Sequence, residues 1–191
     1  MHVVVEGPSD EGVARRVGSH SGHQAAQVHV AHGRTRLDPK LGKYSLAARR
    51  EPWVVFRDSD SQCPVSLRKR LLAGIPENPL LLLRIVHSMT EAWLLADVDG
   101  FASYFRVRKQ QVPNDPETVQ NAKQLLLRLC LGSRSRDIRE EVVREDGSAG
   151  PLYTDHLEEF ALLHWDLEAA ITRSDSLRRA VQALAALPPR R

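Results

Sequence analysis

Cysteine is scarce in this chain of 191 residues: Cys63 and Cys130 stand alone and far apart. Two isolated thiols supply neither a disulfide framework nor a zinc site, so a reducing cytoplasm is the default expectation. Long hydrophobic runs are missing too. The run Leu80-Leu81-Leu82-Leu83 is cut by Arg84, and no run approaches the ~20 apolar residues of a membrane span. No membrane association is expected. No basic stretch leads into an apolar segment near Met1, so no secretory leader is expected. The chain also lacks GxxxxGK[ST], GxGxxG and a nucleophile elbow, which argues against P-loop, dinucleotide-binding and α/β-hydrolase chemistry. Its histidines follow no metal-binding spacing. His29 and His32 flank one expected strand end, His87 follows another, and His156 and His164 fall on a helical segment where they read as structural or surface groups.

What is present is ordinary in bulk. Hydrophobic residues make up 42% and charged residues 27%, as in globular proteins generally. The length suits one well-buried domain, with or without a helical extension. Net charge is +3, the isoelectric point is near 9.1, and arginine outnumbers lysine. Arginine suits bidentate contact with phosphate, so nucleic acid is permitted as a partner without being required.

The first half alternates strands and helices. Val3-Val4-Val5 follows His2 as a short buried strand, Gly7-Pro8-Ser9 forms a turn, and Ser9 is placed to cap a helix from about Asp10 to Gly18. Ala26 to Ala31 reads as a second strand. Gly33 to Lys43 reads as a basic loop punctuated by Pro39 and Gly42, followed by a short helix near Tyr44 to Arg50. Pro52 opens a third strand ending at Asp58, Pro64 starts a helix through Leu72, and Leu80 to Val86 forms a fourth strand. Strands separated by helices predict an α/β fold with a largely parallel sheet.

From Thr90 onward the pattern is helical: Thr90 to Ala96, Val98 to Phe105, Asp115 to about Cys130, Ser135 to Val143, Leu152 to Trp165 and Ser176 to Leu187. Pro188 to Arg191 reads as a frayed tail. With no internal repeat or low-complexity linker, residues 1–191 are expected to form one unit, with an α/β core over 1–97 and a packed helical extension over 98–191.

The informative residues are acids at strand ends. Glu6 ends the first strand and Asp10 follows four residues later; Asp58 and Asp60 end the third strand; Glu91 follows the fourth. Ligands of open α/β sheets bind outside the carboxyl ends of the strands. Several acids delivered to that edge repel one another unless something positive lies between them, and Mg2+ or Mn2+ with oxygen ligands is an economical choice. Asp58 and Asp60 are two apart, so in an extended segment both point to one side. Each acid also has an ordinary reading: Glu6 as a solvated turn residue, Asp10 and Glu91 as first-turn acids stabilised by a helix dipole, and D-x-D as a common turn. Thr90 is placed to cap its helix, Ser88 to bond a carboxylate, and Gly33 to let the backbone approach something closely. Trp93, Leu94 and Leu95 read as core.

Together these residues are familiar. Val5-Glu6-Gly7 with Asp58-Ser59-Asp60 resembles the Toprim domain of topoisomerases, primases and OLD-type nucleases. More narrowly, the chain is similar to a family of short bacterial Toprim-like proteins. The marks are VEGPSDE, as Val5-Glu6-Gly7-Pro8-Ser9-Asp10-Glu11, the basic stretch with Gly33, the D-x-D strand and Glu91-Ala92-Trp93-Leu94-Leu95-Ala96-Asp97. They continue with Asn121-Ala122-Lys123, Gly150-Pro151-Leu152-Tyr153 and Ser174-Asp175-Ser176-Leu177-Arg178-Arg179. The resemblance implies that Glu6 acts as acid/base or ligand and that Asp58 and Asp60 bind magnesium. The OLD-type pattern adds an aspartate matched by Asp10, a glutamate matched by Glu91 and a downstream lysine matched by Lys123, with Ala122 standing where relatives often carry proline. It also implies a role in anti-phage defence, sometimes beside a separate ATPase.

The expectation is therefore a Mg2+- or Mn2+-dependent nuclease acting on RNA or DNA. Glu6, Asp10, Asp58, Asp60 and Glu91 would hold metal, Lys123 would offset charge on the phosphate, and Arg34, Arg36, Lys40 and Lys43 would track the backbone. The alternatives are a non-catalytic module binding an ATPase or nucleic acid, and a phosphate-transfer enzyme acting on a small nucleotide.

Overall fold

The structure, a computed structural model, describes residues 1–188. Of the expected tail, residues 189–191 lie outside the described residues. Four strands, β1 (His2–Val5), β2 (Gln27–Val30), β3 (Trp53–Asp58) and β4 (Leu81–Val86), form one sheet in the order β2-β1-β3-β4. All pairings are parallel, with Val3 set between Val28 and Val54. Parallel neighbours need crossovers. These are α1 (Glu11–His20), then α2 (Arg34–Leu37) with α3 (Leu41–Ala47), then α4 (Pro64–Leu71).

The sheet separates two apolar cores. On one face Val3, Val5, Val54, Phe56 and Val86 pack with Val13, Ala14 and Val17 of α1 and with the C-terminal helices. On the other, Val4, Val55, Leu83 and Ile85 pack with Leu37, Leu41 and Leu67 of α2 to α4. Burial on both faces explains why β1 reads as a continuous apolar run. The chain leaves β1 for β2 on one side, then returns past β1 to β3 and β4. That reversal opens a crevice at the carboxyl ends of β1 and β3, the usual ligand position in such sheets.

The second half is helical: α5 (Thr90–Leu95), α6 (Val98–Tyr104), α7 (Ala122–Leu131), α8 (Arg136–Glu141), α9 (Tyr153–Glu159), α10 (Leu167–Arg173) and α11 (Asp175–Ala185). Trp93, Leu94 and Leu95 are fully buried, and their cluster extends from Met1 to Leu184. No helix of the described residues is long and apolar enough to cross a membrane.

Four local expectations are corrected. Gly33 to Lys43 is helical, not a loop: α2, a 3-10 turn over Asp38–Lys40, and the start of α3, held down by fully buried Leu37 and Leu41. Gly33, at φ 104°, turns the chain out of β2, and its N–H donates to the Glu6 carbonyl at 2.9 Å. The close approach is thus to the backbone of β1's own exit. The expected helix over Asp115 to Cys130 is broken into a 3-10 turn, Pro116–Thr118, and α7, because the Asn121 side chain accepts the Gln124 N–H and caps a new start. The Leu152 to Trp165 helix ends in a π-helical turn over Phe160–His164, and α10 went unanticipated. Ser9 does not cap: it lies within a 3-10 turn, Pro8–Asp10, that precedes α1.

Candidate functional site

Glu6 leaves β1 at the crevice and reaches across to β3. Its Oε2 accepts the Asp58 N–H at 3.1 Å and lies 3.3 Å from Arg57 Nη1. Four residues on, the 3-10 turn folds Asp10 back: its Oδ2 accepts the Gly7 N–H at 2.8 Å, and its Oδ1 accepts the Thr90 hydroxyl at 2.6 Å. Asp10 therefore braces its turn and faces the crevice at once. Thr90, expected as a helix cap, instead ties α5 to Asp10. Ser88 does not bond a carboxylate; its hydroxyl donates to the Val119 carbonyl at 2.9 Å.

At the end of β3 the D-x-D geometry departs from expectation. The extended backbone stops at Asp58, and Asp60 and Ser61 take positive φ values of 47° and 63°. The two carboxylates still reach one cavity but sit in opposite electrostatic surroundings. Asp60 Oδ2 accepts from Arg34 Nη1 at 2.7 Å and from Arg57 Nη1 at 2.8 Å. The Asp58 carboxylate makes no ion pair among the described residues and faces Asp10, Glu91 and Glu6. Glu91, 4% exposed in the first turn of α5, accepts the Tyr153 hydroxyl at 2.7 Å.

A cavity of about 310 Å3 joins these groups, lined by Glu6, Asp10, Asp58, Asp60, Glu91 and Lys123, with Arg34 and His32 at its rim. All five acids singled out in the sequence meet there, as does Lys123, whose Nζ lies 4.8 Å from the centre of the Tyr153 ring. Lys123 is the second residue of α7, after buried Ala122. The basic segment divides. Arg34 reaches the cavity but is bound to Asp60, whereas Arg36, Lys40 and Lys43 are exposed outside its lining. His29 lies away from it, stacked with His2 and Trp53.

The positive charge among the acids is a residue the sequence reading passed over. Arg57, 2% exposed, donates through Nε to Asp38 Oδ1 at 3.0 Å, through Nη1 to Asp60 and Glu6, and to the Asp58 carbonyl. Asp38 and Tyr153 were missed with it. A charged residue inside an otherwise apolar strand run was the available signal, since arginine is rarely buried without a partner.

Two halves result. Glu6, Asp38 and Asp60 share Arg57, with Arg34 in support. Asp10, Asp58 and Glu91 have no cationic partner among the described residues, only the neutral donors Gly7, Thr90 and Tyr153. Burial, then the Glu91 charge, pushes Asp10 up to about 6. Burial, then Asp10, Glu91 and Glu6, lifts Asp58 well above its ordinary value. Burial raises Glu6, with Arg57 opposing. Among the described residues no three His, Cys, Asp or Glu side chains are arranged to hold a metal ion as they stand. The donor set nonetheless suits a hard divalent cation: it is all oxygen, anionic and partly uncompensated.

No family model, curated protein or solved structure matches this chain.

Proposed function

We propose that this chain is a Mg2+- or Mn2+-dependent phosphodiesterase of Toprim type acting on nucleic acid. The observation carrying the reading is the uncompensated trio Asp10, Asp58 and Glu91, set beside a compensated pair, Glu6 and Asp60, at the crevice of a parallel sheet. Buried like charges without a counterion are unfavourable, and a divalent cation removes that penalty. Asp58, Asp10 and Glu91 would hold the ion, joined by Asp60 and Glu6 if they loosen from Arg57. When bound, such ions activate water and stabilise the leaving oxygen of a phosphodiester.

The side chains supply the rest. Glu6 is held through Oε2, which leaves Oε1 to take or give a proton at a raised affinity. Lys123, seated over Tyr153, presents an ammonium to the phosphate as negative charge develops. Arg34 at the rim can exchange Asp60 for a backbone phosphate. The resemblance to OLD-type nucleases extends the reading to an effector of anti-phage defence working beside a separate ATPase.

The second reading is a binding module that keeps this shell without turnover, favoured by the fact that no three described groups are poised as ligands. Cleavage of a mixed RNA and DNA panel with Mg2+ or Mn2+ separates the two. The parent is expected to cleave with metal and lose at least a hundredfold in rate as Asp58→Asn. A parent inactive on every substrate with either metal favours the module.

A further inference from the structure

We propose that Arg68, Arg84 and Arg179 form a phosphate-binding site at the free edge of β4, apart from the carboxylate cavity. Arg84 projects from β4 toward the face covered by α11, Arg68 comes from α4 and Arg179 from α11, and all three line one cavity of about 240 Å3. The volume is below the ~300–1,000 Å3 of pockets for drug-sized ligands and suits a single phosphate group.

The charges in this cavity do not balance. The side chains of Arg68 and Arg84 make no hydrogen bond or ion pair among the described residues, and Arg84 Nε is buried without a partner. An orphaned buried donor on a charged group needs an explanation. The two acids of the cavity are already engaged: Glu117 accepts from the Ser174 hydroxyl at 2.6 Å and the Ser176 N–H at 2.7 Å, while Asp175 is shared by Arg178 and Arg179. Desolvation and the charges of Arg68 and Arg179 both work against the Arg84 cation. An anion entering from solvent would satisfy Arg84 Nε and screen the three cations from one another. A phosphate oxygen pair matches the guanidinium fork.

The site needs no metal, so it stands or falls independently of the proposed activity. Its wall adjoins the carboxylate cavity, however. His87 lines the arginine cavity, and its Nδ1 lies 3.3 Å from the hydroxyl of Ser59, between Asp58 and Asp60. Two sources therefore qualify: a free or terminal phosphate, and an internal phosphate of a polynucleotide held near the acids.

The test is binding of inorganic phosphate and of short oligonucleotides with and without a 5′-phosphate. Binding is read by calorimetry and thermal shift in EDTA, against chloride at matched ionic strength, for the parent, Arg84→Met, Arg68→Ala and Asp58→Asn. The parent and Asp58→Asn are expected to bind phosphate alike. Arg84→Met should bind at least tenfold more weakly while remaining folded, and Arg68→Ala severalfold more weakly. Preference for the 5′-phosphorylated strand assigns the site to a terminal phosphate; equal binding of both strands, weakened by Arg84→Met, assigns it to the backbone. Absence of phosphate binding to the parent, or equal binding by parent, Arg84→Met and Arg68→Ala, overturns the proposal.

Discussion

Arg57 divides the carboxylate cavity at the residue scale. One guanidinium buried at the end of β3 compensates Glu6, Asp38 and Asp60, and it forms no ion pair with the carboxylates of Asp10, Asp58 and Glu91. Replacing it by methionine leaves Glu6 and Asp38 without their cation and Asp60 with Arg34 alone. Breaking a buried pair from one side costs about 3–5 kcal/mol, so Arg57→Met is expected to unfold in urea with a loss of that order at pH 7. A loss under 1 kcal/mol would mean that Arg57 compensates nothing. The other half behaves oppositely. Asp10 rises from 3.8 to about 6, so the native state holds its proton more tightly than the unfolded chain. The resulting penalty is absent below pH 3.8, grows between there and about pH 6, and is complete above. At about 1.4 kcal/mol per pH unit it reaches about 3 kcal/mol. Without metal, the parent should therefore lose stability as pH rises through that window. Asp10→Asn should flatten the fall in a series of urea titrations; an unchanged slope would show that the Asp10 proton affinity is ordinary.

Elements explain which parts were legible. Acids after apolar runs pointed to the carboxyl edge because a parallel sheet collects its strand ends there, so the meeting of Glu6, Asp10, Asp58, Asp60 and Glu91 in one cavity was legible in the sequence. Arg57 escaped because nothing in the order of residues shows that Glu6, Asp38 and Asp60 converge on its side chain; the packing of β1, the 3-10 turn and β3 brings them there. The segment over α2 and α3 was misread for a physical reason. Gly33, Pro39 and Gly42 resemble loop punctuation, yet Gly33 is a helix entry and Pro39 sits in the first turn of a 3-10 segment, where no N–H is needed. Being helical, this segment presents Arg36, Lys40 and Lys43 outward. If they track a polynucleotide, each neutralised phosphate adds roughly one to the salt slope of binding. Replacing Arg36, Lys40 and Lys43 by alanine, with Arg34 left in place, should weaken nucleic-acid binding and make its salt dependence shallower, with metal affinity kept. Binding titrations at several salt concentrations that leave the slope unchanged would remove this face from the interface.

At the scale of the whole molecule, the sheet is covered unequally. The face against α2 to α4 closes over a small core, whereas the other depends on α1 and the helices after residue 97. A chain ending at Asp97 would expose Trp93, Leu94 and Leu95, which are fully buried here. It should show no cooperative thermal transition by circular dichroism; a sharp transition would show that the first half folds alone. The same helices deliver Tyr153 to Glu91 and Lys123 to the cavity, so the C-terminal half completes the site it covers. Direct titration of Mn2+ into the parent and Asp58→Asn, both at pH 7, tests the cation reading of that site most closely. The uncompensated trio predicts saturable binding to the parent, stabilisation on heating as the ion is taken up, and at least tenfold weaker binding to the variant. Equal binding by the two proteins, or none by the parent, would contradict it.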